Sequence, residues 1–181
     1  MGRMSEHTKF HQLLHDQISN EFYASQQYIA VATYFDNHDM PQLAKLFYRQ
    51  AVEERNHAMM IVQYFLDRDM EVEIPGIPAP NNRFEDYRAP IDLALAQEKT
   101  VTQQVVDLAK SARDTGDYLG EQFVQWFLKE QVEEVATMTT LQTIAERCNG
   151  NLFDLENFVE REFNGEKTSD ATAPVAAGGN I

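Results

Sequence analysis

Residues 39–66 read DMPQLAKLFYRQAVEERNHAMMIVQYFL, and the rest of the chain is interpreted outward from this stretch. Leu43, Phe47, Ala51, Ala58, Ile61 and Phe65 recur at the spacing of one face of an α-helix. Asp39 and Gln42 form a capping pair at its start, and Pro41 falls in the first turn, where its missing N–H costs nothing. At mid-helix the apolar stripe is interrupted by Glu54 and His57, which stand three residues apart and so one turn above each other. A carboxylate aimed into a core costs several kcal/mol even after relaxation, so this interruption calls for a compensating charge.

Three more long helical patterns flank this one. The first spans about residues 8–35 through Leu14, Ile18, Tyr28, Val31, Ala32 and Phe35. Another spans about 91–113 through Ala94, Leu95, Val101, Val105, Leu108 and Ala112. The last spans about 118–147 through Phe123, Phe127, Val135, Met138, Leu141 and Ala145. Gly150 is placed to stop it, and Asn151 to cap a shorter fifth helix carrying Leu152, Phe153, Leu155, Phe158 and Val159. Short links make helices one and two, and three and four, antiparallel pairs. Between the pairs lie residues 67–90, with Pro75, Pro78, Pro80 and Pro90. A helix of about 28 residues is roughly 40 Å long, a span that two dozen extended residues can retrace. The expected fold is therefore all-α, a four-helix bundle with one long crossover and a short fifth C-terminal helix. Residues 71–74 are the one strand-like stretch. Residues 1–163 form one domain, and the Gly-, Ala-, Ser-, Thr- and Pro-rich residues 164–181 read as a mobile tail.

The formal net charge of −14 argues against nucleic acid and anionic membrane surfaces as partners. It suits attraction of cations, although an acidic surface alone is more often a solubility device. The single Cys148 excludes an internal disulfide and fits a reducing compartment. The first twenty residues hold no apolar signal-peptide core, and no stretch approaches the roughly 20 apolar residues of a membrane span. The expected location is the cytoplasm.

The interruption at Glu54 and His57 has counterparts on the other three helices. Leu14, Glu21, Tyr28 and Phe35 are spaced by seven, so all four point within roughly 20° of one direction. Glu98 lies between Leu95 and Val101, and Gln131 with Glu134 between Phe127 and Met138. A lone mid-helix Glu is usually solvated, and a lone His in a stripe is usually a hydrogen-bonded core residue. Here the deviations coincide near the middle of four helices, with no Lys or Arg at the inward positions. A bound metal is the economical compensation, and oxygen ligands with one imidazole favour iron or manganese over structural zinc. The halves echo each other: Glu21 precedes Glu54 by 33 residues, as Glu98 precedes Gln131. Di-iron bundles take one Glu from each of two helices and Glu-x-x-His from the other two. The first half matches; Gln131 and Glu134 depart from it in the second and should weaken one metal position.

Asn20-Glu21 with Tyr28, Glu53-Glu54-Arg55-Asn56-His57-Ala58, and Glu130-Gln131-Val132-Glu133-Glu134, together with Glu98, resemble the motifs of the bacterial non-haem ferritins over about residues 10–163. The resemblance implies a ferritin-like bundle acting as an iron-storage ferroxidase. Glu21, Glu54 and His57 resemble the ligands of the tighter iron site, with Glu54 bridging. Glu98 resembles the main ligand of the second iron, near Gln131. Tyr28 resembles a tyrosine beside the centre, a hydrogen-bond partner and candidate electron donor. Glu53, Glu130, Glu133 and Glu134 resemble a third iron site facing the storage cavity, with a solvated face equally open for Glu53 and Glu133. Trp126 resembles an aromatic near the centre, with core packing the alternative. Haem-binding bacterioferritins carry Met after the bridging Glu and Glu-x-x-His in both halves; Arg55 and the Gln131–Glu134 pair imply no haem. Glu121 resembles one acid of the three-fold entrance, and Val124 stands where animal ferritins place another. The resemblance also implies iron with dioxygen or peroxide as reactants, and a homo-oligomeric cage of 24 subunits with the fifth helix near the four-fold axis. The competing reading is a di-iron oxidase or peroxidase of rubrerythrin type without storage; the lack of Cys pairs counts against it.

Overall fold

A computed structural model describes residues 7–181. Helices α1 (Lys9–Asn37), α2 (Pro41–Asp67), α3 (Arg88–Asp114) and α4 (Tyr118–Arg147) form the bundle, and α5 (Leu152–Glu162) closes one end. The described residues contain no strand, and the extended residues 71–74 join no β-ladder.

Helix ends follow from local chemistry in most cases. Thr8 caps α1: its hydroxyl accepts from the His11 N–H, and the Thr8 N–H donates to His11 Nδ1, both at 3.3 Å. Asp117 caps α4 by accepting from the Gly120 N–H at 2.8 Å. Gly120 is required there, because a Cβ would lie 2.3 Å from the Phe10 ring. The C-terminus of α4 turns through Asn149 and Gly150, at φ of 47° and 85°. Helix α3 begins before Pro90, not after it: Asp86 accepts from the N–H groups of Arg88 and Ala89, and Pro90 sits harmlessly in the first turn.

The start of α2 corrects the expected Asp39–Gln42 capping pair. Asp39 turns left-handed at φ 57°, which leaves Met40 as an N-cap with no side-chain hydrogen bond. The exposed amides are bound from α5, where Glu156 accepts from the N–H groups of Gln42 and Leu43 at 2.8 and 2.9 Å. A carboxylate on two free amides at the positive end of a helix is favourable on both hydrogen-bond and dipole grounds. Glu156→Ala is expected to cost about 1 kcal/mol, lowering the apparent Tm by roughly 2–4 °C in calorimetry. An unchanged Tm would show that this cap contributes nothing.

Contacts along the helices give their directions. Ser25 meets Ala51, and Phe35 stacks on Phe47, so α1 and α2 are antiparallel. Gln17 meets Gln104 and Tyr28 meets Glu98, which makes α3 antiparallel to α1 and hence parallel to α2. Asp92–Gln142, Thr102–Gln131 and Arg113–Glu121 contacts make α4 antiparallel to α3. The crossover runs along α1 in its own direction, since His15, Ser19 and Gln27 bond the carbonyls of Glu73, Gly76 and Asn81, each at 2.8 Å.

The core is divided in two. One apolar cluster gathers Phe10, Leu14, Phe65, Val105 and Phe127; the other gathers Phe35, Phe47, Ile91, Leu95 and Met138, with Leu155 and Val159 of α5. The layer between them is polar. Residues 164–181 run along the α2 and α4 side, where the Ala177 N–H donates to the Met59 carbonyl at 3.0 Å.

Candidate metal centre

The polar layer is built from the six interrupting residues. Glu21 comes from α1, Glu54 and His57 from α2, Glu98 from α3, and Gln131 and Glu134 from α4. None is more than 3% exposed, so all six lie inside the bundle. Two groups of convergent ligand atoms result. Glu21, Glu54 and His57 each offer one atom within 4.8 Å of the others. His57 Nδ1 is 3.2 Å from Glu54 Oε2 and 3.9 Å from Glu21 Oε2. Glu53, Glu130 and Glu134 form the second group under the same criterion, at the edge of the layer. Glu98 belongs to neither; Tyr28 donates its hydroxyl to Glu98 Oε1. The Gln131 amide, turned nitrogen-first toward α3, donates to Glu98 Oε2 at 3.3 Å and to Thr102 Oγ1 at 3.0 Å. Glu133 stands outside the second group and lines a cavity of about 370 Å³ with Glu130 and Glu134.

Crowding carboxyls away from water raises their affinity for protons. Burial, then the charges of Glu98 and Glu21, pushes Glu54 well above the usual carboxylate range. Burial and Glu98 do the same to Glu134. Glu98 rises to about 7, with burial outweighing the opposing hydrogen bond from Tyr28. Burial lowers the His57 pKa, leaving a neutral imidazole suited to a metal, and raises the Tyr28 phenol well above its ordinary value. Among the described residues no Lys or Arg forms an ion pair with Glu21, Glu54, Glu98 or Glu134. Among the described residues, Glu21 Oε2 and Glu54 Oε1 are buried with no hydrogen-bond partner. Buried lone pairs on clustered carboxyls are what a cation would satisfy, so the donor set fits a hard metal ion such as iron.

Other side chains complete the layer without having been picked out by the motifs. Gln17 donates to Glu21 Oε1 at 2.8 Å, and Gln50 donates to Glu134 Oε2 at 3.0 Å. Both were findable: each lies four residues before a stripe glutamate, and the two are 33 apart like the glutamates. Thr102 donates to the Glu98 carbonyl at 2.8 Å. Trp126 does more than fill the core, standing edge-on to His57 with ring centroids 5.5 Å apart. Val124 is 1% exposed within an apolar cluster, while Glu121 is held by Arg113 at 2.7 Å.

A four-helix bundle with one crossover and a buried carboxylate–histidine layer defines a class of proteins able to hold metal between helices. A family model described as a ferritin-like domain matches residues 11–148. The chain is 64% identical over 174 residues to ferritin BfrB of Mycolicibacterium smegmatis, covering 96% of each chain. It is 35% identical over 157 residues to a bacterial non-heme ferritin of Staphylococcus haemolyticus, covering 84% of this chain and 95% of that one. The structure matches an open pore ferritin from the archaeon Archaeoglobus fulgidus with a TM-score of 0.82 and 25% identity, covering 90% of this chain and 99% of that one. The chain belongs to the ferritin family.

Proposed function

We propose that this chain is an iron-storage ferritin subunit that oxidises ferrous iron at Glu21, Glu54, His57, Glu98 and Gln131. The reading rests above all on one observation: four helices deliver buried carboxyls and an imidazole to one layer, with orphaned carboxylate oxygens and no basic ion-pair partner among the described residues. When bound, a pair of ferrous ions supplies the electrons that reduce dioxygen or peroxide. The chain's own part is to hold that pair in a dry, shaped site and to exchange protons for cations. Glu54, central to the layer, would serve both metal positions. Glu21 and His57 complete the tighter one. Glu98, oriented by the Tyr28 hydroxyl and the Gln131 amide, serves the other. Gln131 carries no charge where the related half-motif has Glu54, so the second position binds more weakly and releases ferric product. Glu134, Glu130 and Glu53 form a third cation site on the way out.

The assembly we infer is a 24-subunit cage in the cytoplasm; no helix among the described residues is long and apolar enough to cross a membrane. Arg55 after Glu54 supports a subunit without haem. Residues 1–163 act as the di-iron domain, with residues 164–181 an appendage to it.

Aerobic iron loading followed by gel filtration tests this. The expected result is soluble iron co-eluting at many more than two ions per chain, in a particle far larger than one chain. Retention capped near two per chain would move the protein to a di-iron redox enzyme, and no retention would overturn the metal reading.

A further inference from the structure

The segment after α5 returns across the mouth of the outer carboxylate group. It is anchored before that point, where Asn164 Nδ2 donates to the Gln42 carbonyl at 2.9 Å and Arg49 donates to the Phe163 carbonyl. It is anchored again beyond it, where Asp170 accepts from Trp126 Nε1 at 3.1 Å and Ala177 bonds the Met59 carbonyl. Ala176 and Ala177 are buried against the bundle. Between these anchors Lys167 places its Nζ 2.7 Å from Glu53 Oε1. Glu53 is one of the three carboxylates that converge with Glu130 and Glu134. Gly165, Glu166 and Lys167 form one wall of the cavity whose other wall carries Glu130, Glu134 and Gln50. Gln50 is 2% exposed, and its Oε1 has no partner. The cavity thus meets a buried acceptor, clustered carboxylates, the Arg49 guanidinium from α2 and an ammonium brought by the tail.

We propose that Lys167 is a tethered counter-cation for Glu53, Glu130 and Glu134, and that a metal cation entering this group must displace it, so the tail sets the group's metal affinity. This rests on reading the three carboxylates as a cation site. Both cations draw on the same Glu53 carboxylate, so their binding is competitive there. The anchors on either side hold the ammonium near the group even when it is displaced, at an effective concentration a free cation lacks. The Lys167 and Glu53 side chains are 55% and 22% exposed, which limits the pair to the strength of a surface ion pair. Its loss corresponds to about a two- to fivefold change in affinity at low ionic strength, shrinking as salt screens the pair.

Anaerobic ferrous titration calorimetry on the assembled full-length protein tests this with Lys167→Gln, Lys167→Arg and Glu130→Gln. Lys167→Gln is expected to bind iron at the outer group about two- to fivefold more tightly at low salt. The difference should vanish at high salt, and Lys167→Arg should behave as wild type. Glu130→Gln should lose the same class of sites, which locates it. Unchanged affinity in Lys167→Gln, with the sites still lost in Glu130→Gln, would overturn the counter-cation role alone. Full retention of all sites in Glu130→Gln would overturn the outer site itself and the proposal with it.

Discussion

Glu54→Gln is expected to lower the initial rate of ferrous oxidation by on the order of 100-fold or more, while leaving the metal-free protein folded and more stable at neutral pH. The two halves have one cause. Glu54 is buried, central, and has an unpartnered oxygen, so the amide removes a ligand without removing volume. Changes in residues that merely orient metal ligands already cost 10–100-fold, roughly, and loss of a shared ligand exceeds that. In the metal-free protein the same carboxyl is a burden, because its pKa is driven up by burial and by Glu98 and Glu21. An amide has no proton to retain, so the folded state is relieved of that cost. Stopped-flow absorbance on iron addition reads the first effect and calorimetry of the metal-free protein the second. Near-wild-type oxidation in Glu54→Gln would sink this assignment of the centre; a Tm far below wild type would instead report failed folding.

A metal-free preparation should lose stability as pH rises from 6.5 to 8, and added ferrous iron under anaerobic conditions should reverse the trend. Glu54, Glu98 and Glu134 all have folded-state pKa values above their ordinary ones. A raised folded pKa contributes stability that is fully present below the unfolded value and is lost as pH climbs through the folded one. For Glu98, rising from 4.5 to about 7, about 3 kcal/mol is lost across the whole rise, of which about 1 kcal/mol falls above pH 6.5. Glu54 and Glu134, raised further, extend the loss to higher pH. His57 is lowered and acts in the opposite sense, but only below its unfolded value of 6.5. Above that value the carboxyls act alone, which makes the chosen window diagnostic. A cation replaces the protons, so its stabilisation grows as protons become easier to remove. The check is the apparent Tm at several pH values with and without iron. A flat or rising Tm in the metal-free protein would contradict the burial of ionisable carboxyls.

The helices and their inward stripes were legible because burial imposes a period of 3.6 on any sequence that packs one face. Glu21, Glu54, His57, Glu98, Gln131 and Glu134 were legible for the complementary reason, as polar residues at positions the period reserves for apolar ones. Gln17 and Gln50 obey the same rule and were passed over because an uncharged amide in a stripe is a weaker anomaly than a carboxylate. The start of α2 was misread. Asp39 and Gln42 have capping spacing, yet the amides there are bound by Glu156, more than a hundred residues further on.

What the sequence determined by itself is therefore the set of periodic decisions: four long helices, the crossover its prolines allow, and a polar layer at matching heights. Each depends on residues a few positions apart, where backbone geometry alone dictates direction. The tertiary structure decided which carboxylates share a group, that Tyr28 and Gln131 hold Glu98, and that Lys167 reaches Glu53. The contacts of Tyr28 and Gln131 with Glu98 and of Lys167 with Glu53 join residues 33 to 114 positions apart. No local period encodes them, because hydrogen bonds and Coulomb attraction act through distances in space that only the packed bundle sets.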